Sequence, residues 1–285
     1  MKTILVPTDF SANADNALNY AIELAKIENA KLILLHAFET NYESGAVSYN
    51  LIAEEKASLE IQSNKRLQTI GYKIELSSKL KYECISVEGF VIDVILNLIE
   101  EQEIDLVVMG TKGASGLSGV IFGSNTTKVI EKAKCPVIAV PEGAIYMGFG
   151  KITYATDYHE NDIQCLKKVI EIAEPLNAQV NILHISINPH SEEIERETMK
   201  TFMDEINHKI TYSNLSFQLI NGASINASLE EYLESNATSL MVMSTHRRDF
   251  FDKIFGSSIT KHIAYKIKTP LMVFHYNAKR EIKVF

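Results

Sequence analysis

Positive charge, cysteine and long apolar stretches are all scarce in this 285-residue chain, and each scarcity removes a class of function. There are 28 Lys and Arg against 36 Asp and Glu, a net charge of −8. Binding nucleic acid needs a clustered positive field. Neither half supplies one: residues 1–141 hold 13 basic against 18 acidic side chains, and residues 142–285 hold 15 against 18. The three cysteines, Cys84, Cys135 and Cys165, show no CxxC spacing, which suits small buried thiols in a reducing cytoplasm. No run approaches the roughly 20 apolar residues of a membrane-spanning helix, and Met1 leads straight into "KTILVPTDF" without a basic-then-apolar leader. The expectation is a soluble cytoplasmic protein with neither nucleic acid nor membrane as partner.

Familiar catalytic fingerprints are missing too. There is no G-x-x-x-x-G-K-[ST], no GxGxxG, no HExxH and no G-x-S-x-G elbow. Seven of the eight histidines lie in the second half without metal-ligand spacing, so no metal site and no catalytic residue is nominated. His36 and His184 end apolar runs and are expected to be hydrogen-bonded core histidines.

What the chain does have is a repeat. "KTILVPTDFSANADNALNYAIELAKIENAKLILLHAF" (2–38) is echoed by "KITYATDYHENDIQCLKKVIEIAEPLNAQVNILHIS" (151–186), with Asp9 matching Asp157 and His36 matching His184 at an offset of 148. "DLVVMGTKG" (105–113) matches "SLMVMSTHR" (239–247), and "KCPVIAV" (134–140) matches "KTPLMVF" (268–274), both at 134. The expected organisation is a first domain over 1–141, a Pro/Gly-punctuated linker over 142–150, a second domain over 151–277 and a tail over 278–285.

Each copy alternates short apolar runs with helical periodicity. After "TILVP", Ser11 caps a helix whose Ala14, Ala17, Leu18, Ala21, Ile22, Leu24 and Ala25 recur at three- and four-residue spacing. "KLILLHAF" is the next strand, followed by a helix near 48–70, a strand near 82–87, a helix over 90–102, "DLVVM", a loop with its helix, and "PVIAV". Strands apolar on both faces between amphipathic helices predict an α/β fold of two tandem Rossmann-like domains, each a five-stranded parallel sheet with helices on both faces. Ligands of such folds sit at the carboxyl ends of the strands. Ile194, Met199, Phe202, Met203 and Ile206 predict an apolar stripe along the acidic helix at 190–209. The last residues, "KREIKVF", alternate as a short edge strand.

The loop after "DLVVM" reads "GTKGASGLSGVIFGSNTTK". Gly113 and Gly123 permit positive φ and close backbone approach. Ser124, Asn125 and Thr126 open a helix whose N-terminus offers unpaired N–H groups and partial positive charge. From the residues alone two readings stay open: a phosphate cradle, or a surface loop closed by glycines with Ser124 as a helix cap.

The spacing Gly110-x2-Gly113-x9-Gly123-Ser124 resembles the G-x2-G-x9-G-[ST] signature of the universal stress protein family. "ILVPTDFSANADNALNYA" is similar to that family's first strand and helix, and "LILLHAF" and "CPVIAV" to its second and fifth strands. The resemblance spans nearly the whole chain, twice. It implies ATP across the strand ends, with any Mg2+ held by the phosphates. Gly110, Gly113, Gly123, Ser124 and Asn125 would cradle phosphates and ribose, with the Thr126 hydroxyl beside them. Pro7, Thr8 and Asp9 would line the ribose–adenine side, unless Asp9 is merely a helix cap. Ala37, just after the second strand, would present backbone groups to adenine. The resemblance further implies a stress-response or regulatory role, with at most slow ATP hydrolysis, pairing of the two domains within the chain, and dimerisation through the last strand as an open option.

The second copy departs from the signature. Ser244 replaces Gly110 and Arg247 replaces Gly113 in "STHRRDFFDKIFGSS". This half is expected not to hold ATP in the family manner, while Asp157, Arg247, Arg248, Ser257 and Ser258 remain candidate contacts for another anion. The alternatives to an ATP-binding module are a nucleotide-free scaffold, an anion or lipid carrier, and a weak ATPase. HxGH and SGGxDS, signatures of adenylating enzymes on related folds, are absent.

Overall fold

A computed structural model describes residues 1–40, 49–111, 123–159, 161–187, 192–245 and 268–275. The described chain falls into two compact units that meet in sequence between Glu142 and Gly143. In the first, β1 (Thr3–Pro7), α1 (Ala12–Glu28), β2 (Lys31–Phe38), α2 (Tyr49–Ser78), β3 (Tyr82–Glu88), α3 (Val91–Glu101), β4 (Leu106–Gly110), α4 (Ser124–Lys132) and β5 (Val137–Val140) follow one another. The sheet order is β3-β2-β1-β4-β5, all parallel. The fully apolar runs seen in sequence are its central strands: every residue from Ile4 to Val6 and from Leu106 to Val108 is essentially inaccessible. Such strands need cover on both faces. α1 and α2 pack side by side on one face, and α3 with α4 cover the other, as right-handed crossovers require.

The second unit repeats this order with β6 (Lys151–Ala155), α5 (Asp162–Ala173), β7 (Gln179–Ser186), α6 (Glu192–Lys209), β8 (Leu215–Asn221), α7 (Ile225–Ser235), β9 (Leu240–Thr245) and β10 (Leu271–His275). Its strands run β8-β7-β6-β9-β10, again parallel. The repeat extends to backbone detail. Phe10 (φ 61°) and Tyr158 (φ 62°) share the left-handed region, as do Asn29 (φ 50°) and Asn177 (φ 49°), each pair at the 148-residue offset. Residues 143–150 belong with the second unit, where Ala144 and Phe149 are buried.

Two sequence expectations need revision. The second helix continues to Ser78 instead of ending near residue 70, because Leu67 and Ile74 carry its buried stripe through Gly71. A Cβ at Gly71 would lie 2.1 Å from the Tyr82 ring, so this mid-helix glycine makes room for the start of β3. On α6, Phe202 and Ile206 are buried, but Ile194 is 68% exposed, so the stripe covers only the later turns. The strand expected in 279–285 lies outside the described residues.

Candidate functional site

Strand order reverses between β1 and β4 in the first unit, so the crevice at their carboxyl ends is the place where an open α/β sheet takes a ligand. Pro7 ends β1 and is buried, Thr8 is half-buried and Asp9 is exposed. The Thr8 N–H donates to Leu35 C=O (2.8 Å), the last rung between β1 and β2. The turn that follows is built from side chains. Thr8 Oγ1 accepts from Phe10 N–H (2.9 Å) and Asp9 Oδ1 accepts from Ser11 N–H (3.0 Å). Ser11 Oγ then accepts from Ala14 N–H (3.2 Å), so Ser11 is the N-cap of α1 and Asp9 is not.

Ala37 lies inside β2, not after it, because pairing with β3 continues to Phe38 opposite Glu88. Alternation along a parallel ladder still gives its backbone a role. Leu35 bonds toward β1, while Phe38 accepts from Gly89 on the β3 side, so the N–H and C=O of Ala37 turn toward β1 beyond its last residue.

At β4, the end of the strand is tied to the start of α4 twice. The Gly123 N–H donates to Thr111 C=O (2.5 Å), and the Thr126 hydroxyl donates to Gly110 C=O (2.8 Å). Thr126 is only 3% exposed, so its hydroxyl braces the helix from within while Ser124 and Asn125 remain at the surface. Gly123 occupies the N-cap with φ −57°, so the positive φ that a glycine permits is not used there. Its use is chemical instead: a glycine cap has no side-chain oxygen for the first-turn amides, and no side-chain capping bond is made there. Among the described residues no side chain caps this end, and a helix N-terminus of this kind carries unpaired N–H groups and partial positive charge. Gly110 has a different reason to be glycine. A Cβ there would come within 2.8 Å of Asn13 Nδ2 and 3.1 Å of the Asn13 carbonyl oxygen, so α1 packs directly on β4. Gly113 lies outside the described residues.

Beside the crevice, Phe10 packs on His36 with ring centroids 4.5 Å apart, and the Arg66 guanidinium lies 3.9 Å over the Phe10 ring. His36 Nδ1 bonds Ser63 Oγ (2.8 Å), which also accepts from Ser86 (2.6 Å). Burial and then the Arg66 charge lower the His36 pKa, with Asp9 opposing. His184 is likewise held, by Thr156 C=O at Nδ1 (2.8 Å) and Glu195 at Nε2 (2.9 Å). Both histidines are bonded within the fold, as expected.

The crevice of the second unit is organised differently. Asp157 is exposed after β6. Arg247, Arg248, Ser257 and Ser258 lie outside the described residues. Asp162, in the first turn of α5, is fully buried and accepts from Tyr154 Oη (2.8 Å), Ser244 Oγ (2.6 Å) and Thr156 Oγ1 (2.6 Å). Burial, then Cys165 and Asp162, raises the pKa of Tyr154, so its phenol stays a donor. The one sign of this cluster in the sequence is the exchange of Ala14 for Asp162 between the repeats.

Comparison with known proteins bears on the family and the fold. A family model described as the universal stress protein family matches residues 1–141. Universal stress protein YxiE of Bacillus subtilis is 31% identical over 144 residues, which is 48% of this chain and 97% of that protein. The chain belongs to the universal stress protein family. A second relative, universal stress protein MJ0577 of Methanocaldococcus jannaschii, is 28% identical over 153 residues, covering 49% of this chain and 94% of its own. A universal stress protein crystal structure from Archaeoglobus fulgidus matches at a TM-score of 0.73 and 18% identity, covering 96% of this chain and 98% of that one, which shows the shared two-unit fold. Among the described residues no helix is long and apolar enough to cross a membrane, and no cluster of His, Cys, Asp or Glu could hold a metal ion.

Proposed function

We propose that this universal stress protein binds ATP in its first unit and works as a nucleotide-linked stress-response or regulatory module. The observation that carries this reading is the start of α4. A glycine N-cap without a side-chain capping bond is fastened to the end of β4 by the Gly123–Thr111 and Thr126–Gly110 hydrogen bonds, which supports an anion site on the first-turn amides at the switch point of the sheet.

The backbone N–H groups of Ser124 and Asn125, together with those of the signature loop that includes Gly113, would hold the phosphates. Pro7, Thr8 and Asp9 would line the ribose–adenine side, and the Ala37 backbone, turned toward the gap beyond β1, would meet the adenine edge. Gly110 and Thr126 act through the frame: one lets α1 close on β4, the other braces α4. ATP brings its own charge and any Mg2+ with it, and bound ligand stabilises the folded unit by mass action. The second unit and its C-terminal strand are proposed as a structural or regulatory copy, with the two units pairing within the chain.

The test is calorimetric titration with ATP of the intact chain and of Ser124→Glu. Ser124 is exposed, and an acidic side chain in the first turn favours the helix by about 0.3–1 kcal/mol. The same charge repels phosphate, so ATP affinity should fall by about tenfold or more with no loss of thermal stability. Equal ATP affinity in the two proteins would remove the α4 terminus from the site.

A further inference from the structure

Asp162 and Ala14 occupy matched places at the 148-residue offset, and the difference between them is a charge. Asp162 accepts hydrogen bonds from three hydroxyls at the strand ends of the second unit: Tyr154 in β6, Thr156 just after β6, and Ser244 in β9. β6 and β9 pair directly and are the strands between which the order of this sheet reverses. In the first unit the corresponding positions are Val6, Thr8, Gly110 and Ala14, with no charge among them. The carboxylate therefore lies beneath the same crevice that in the first unit receives the start of α4.

We propose that Asp162, locked by Ser244 and Thr156, is a selectivity-determining residue: its buried charge bars phosphates from the second unit and confines triphosphate binding to the first. Two physical effects act together. A carboxylate fixed by three hydrogen bonds cannot swing into solvent, and its buried position is poorly screened by salt. The hydroxyl protons that a phosphate would need are already given to Asp162, and a phosphate oxygen can only compete for them. Ser244 has a double effect. It supplies one of the three donors, and it fills the position that Gly110 leaves to α1 in the first unit.

The experiment uses the full chain carrying Ser124→Glu, so that the first unit contributes little, with inorganic triphosphate as the probe. Adding Asp162→Asn, which keeps the shape and removes the charge while exchanging one acceptor oxygen for a donor NH2, should tighten triphosphate binding by about tenfold or more. Unchanged affinity would overturn the proposal. The reciprocal change is made in the otherwise unaltered chain. Ala14→Asp should weaken ATP binding by about tenfold or more, whereas Ala14→Asn stays within about threefold of the parent. Equal losses in the two would also overturn it. If the Ala14 variants fail to fold, the isosteric Asp162→Asn comparison decides alone. The proposal rests on the ATP reading for confinement to the first unit and for the Ala14 pair. A parent chain that binds no ATP refutes the first-unit site, and the triphosphate comparison at Asp162 still decides whether its charge excludes phosphate.

Discussion

Replacing Gly110 by alanine separates two explanations for a signature glycine: room for a ligand, or room for a helix. The added methyl would meet Asn13 Nδ2 at 2.8 Å, Asn13 Cγ at 2.9 Å and the Asn13 carbonyl oxygen at 3.1 Å. Asn13 is only 5% exposed on α1, so it cannot swing out to solvent. Relief requires α1 to move off β4 by a few tenths of an ångström, or Asn13 to leave its rotamer. Overpacking of this kind costs about 1–3 kcal/mol. For a unit of this size that lowers the melting temperature by roughly 3–10 °C. Thermal and urea unfolding followed by circular dichroism would read the loss. Asn13→Ala removes the two side-chain contacts and leaves the carbonyl contact, so the double variant should recover part of the loss, with a coupling of at least about 0.5 kcal/mol. The reasoning is refuted if Gly110→Ala unfolds with the parent and loses only ATP affinity, since the glycine would then serve the ligand directly.

Two further outcomes follow from single side chains. Ser11→Ala removes the N-cap bond to Ala14 N–H, and should cost about 1 kcal/mol in urea unfolding while leaving the spectrum of the folded chain unchanged. Burial pushes the pKa of His275 down to about 4, so as pH falls the unfolded chain takes up its proton first, near pH 6.5. The contribution of His275 is complete above that pH and is lost progressively toward pH 4, about 3 kcal/mol in all. His275→Gln should therefore flatten the decline in stability between pH 7 and pH 4.5; an identical decline in both proteins would contradict it.

The fold was legible because its signals are local. "TILVP" and "DLVVM" are apolar on both faces, and only a sheet covered on both sides accommodates them. Ser11 announced a helix start, and the 148-residue repeat carried the reading into the second unit. Features that depend on contacts distant in sequence were not legible. Gly71 falls just past the expected end of the second helix, and the reason for it is the Tyr82 ring packed against it. Gly110 belongs to a phosphate signature in sequence, yet packs on a helix that begins 98 residues earlier in the chain at Ala12. Thr126 looked like a phosphate donor, and its hydroxyl turned inward to a carbonyl sixteen residues back. Asp162 reads as an ordinary first-turn acid, because its Ser244 partner stands 82 residues away.

The most direct measurement is the number of ATP molecules bound per intact chain, by calorimetry against an independently determined protein concentration. The account predicts one, with its affinity lowered by about tenfold or more in Ser124→Glu. Two equivalent sites per chain, or binding that survives Ser124→Glu unchanged, would contradict it.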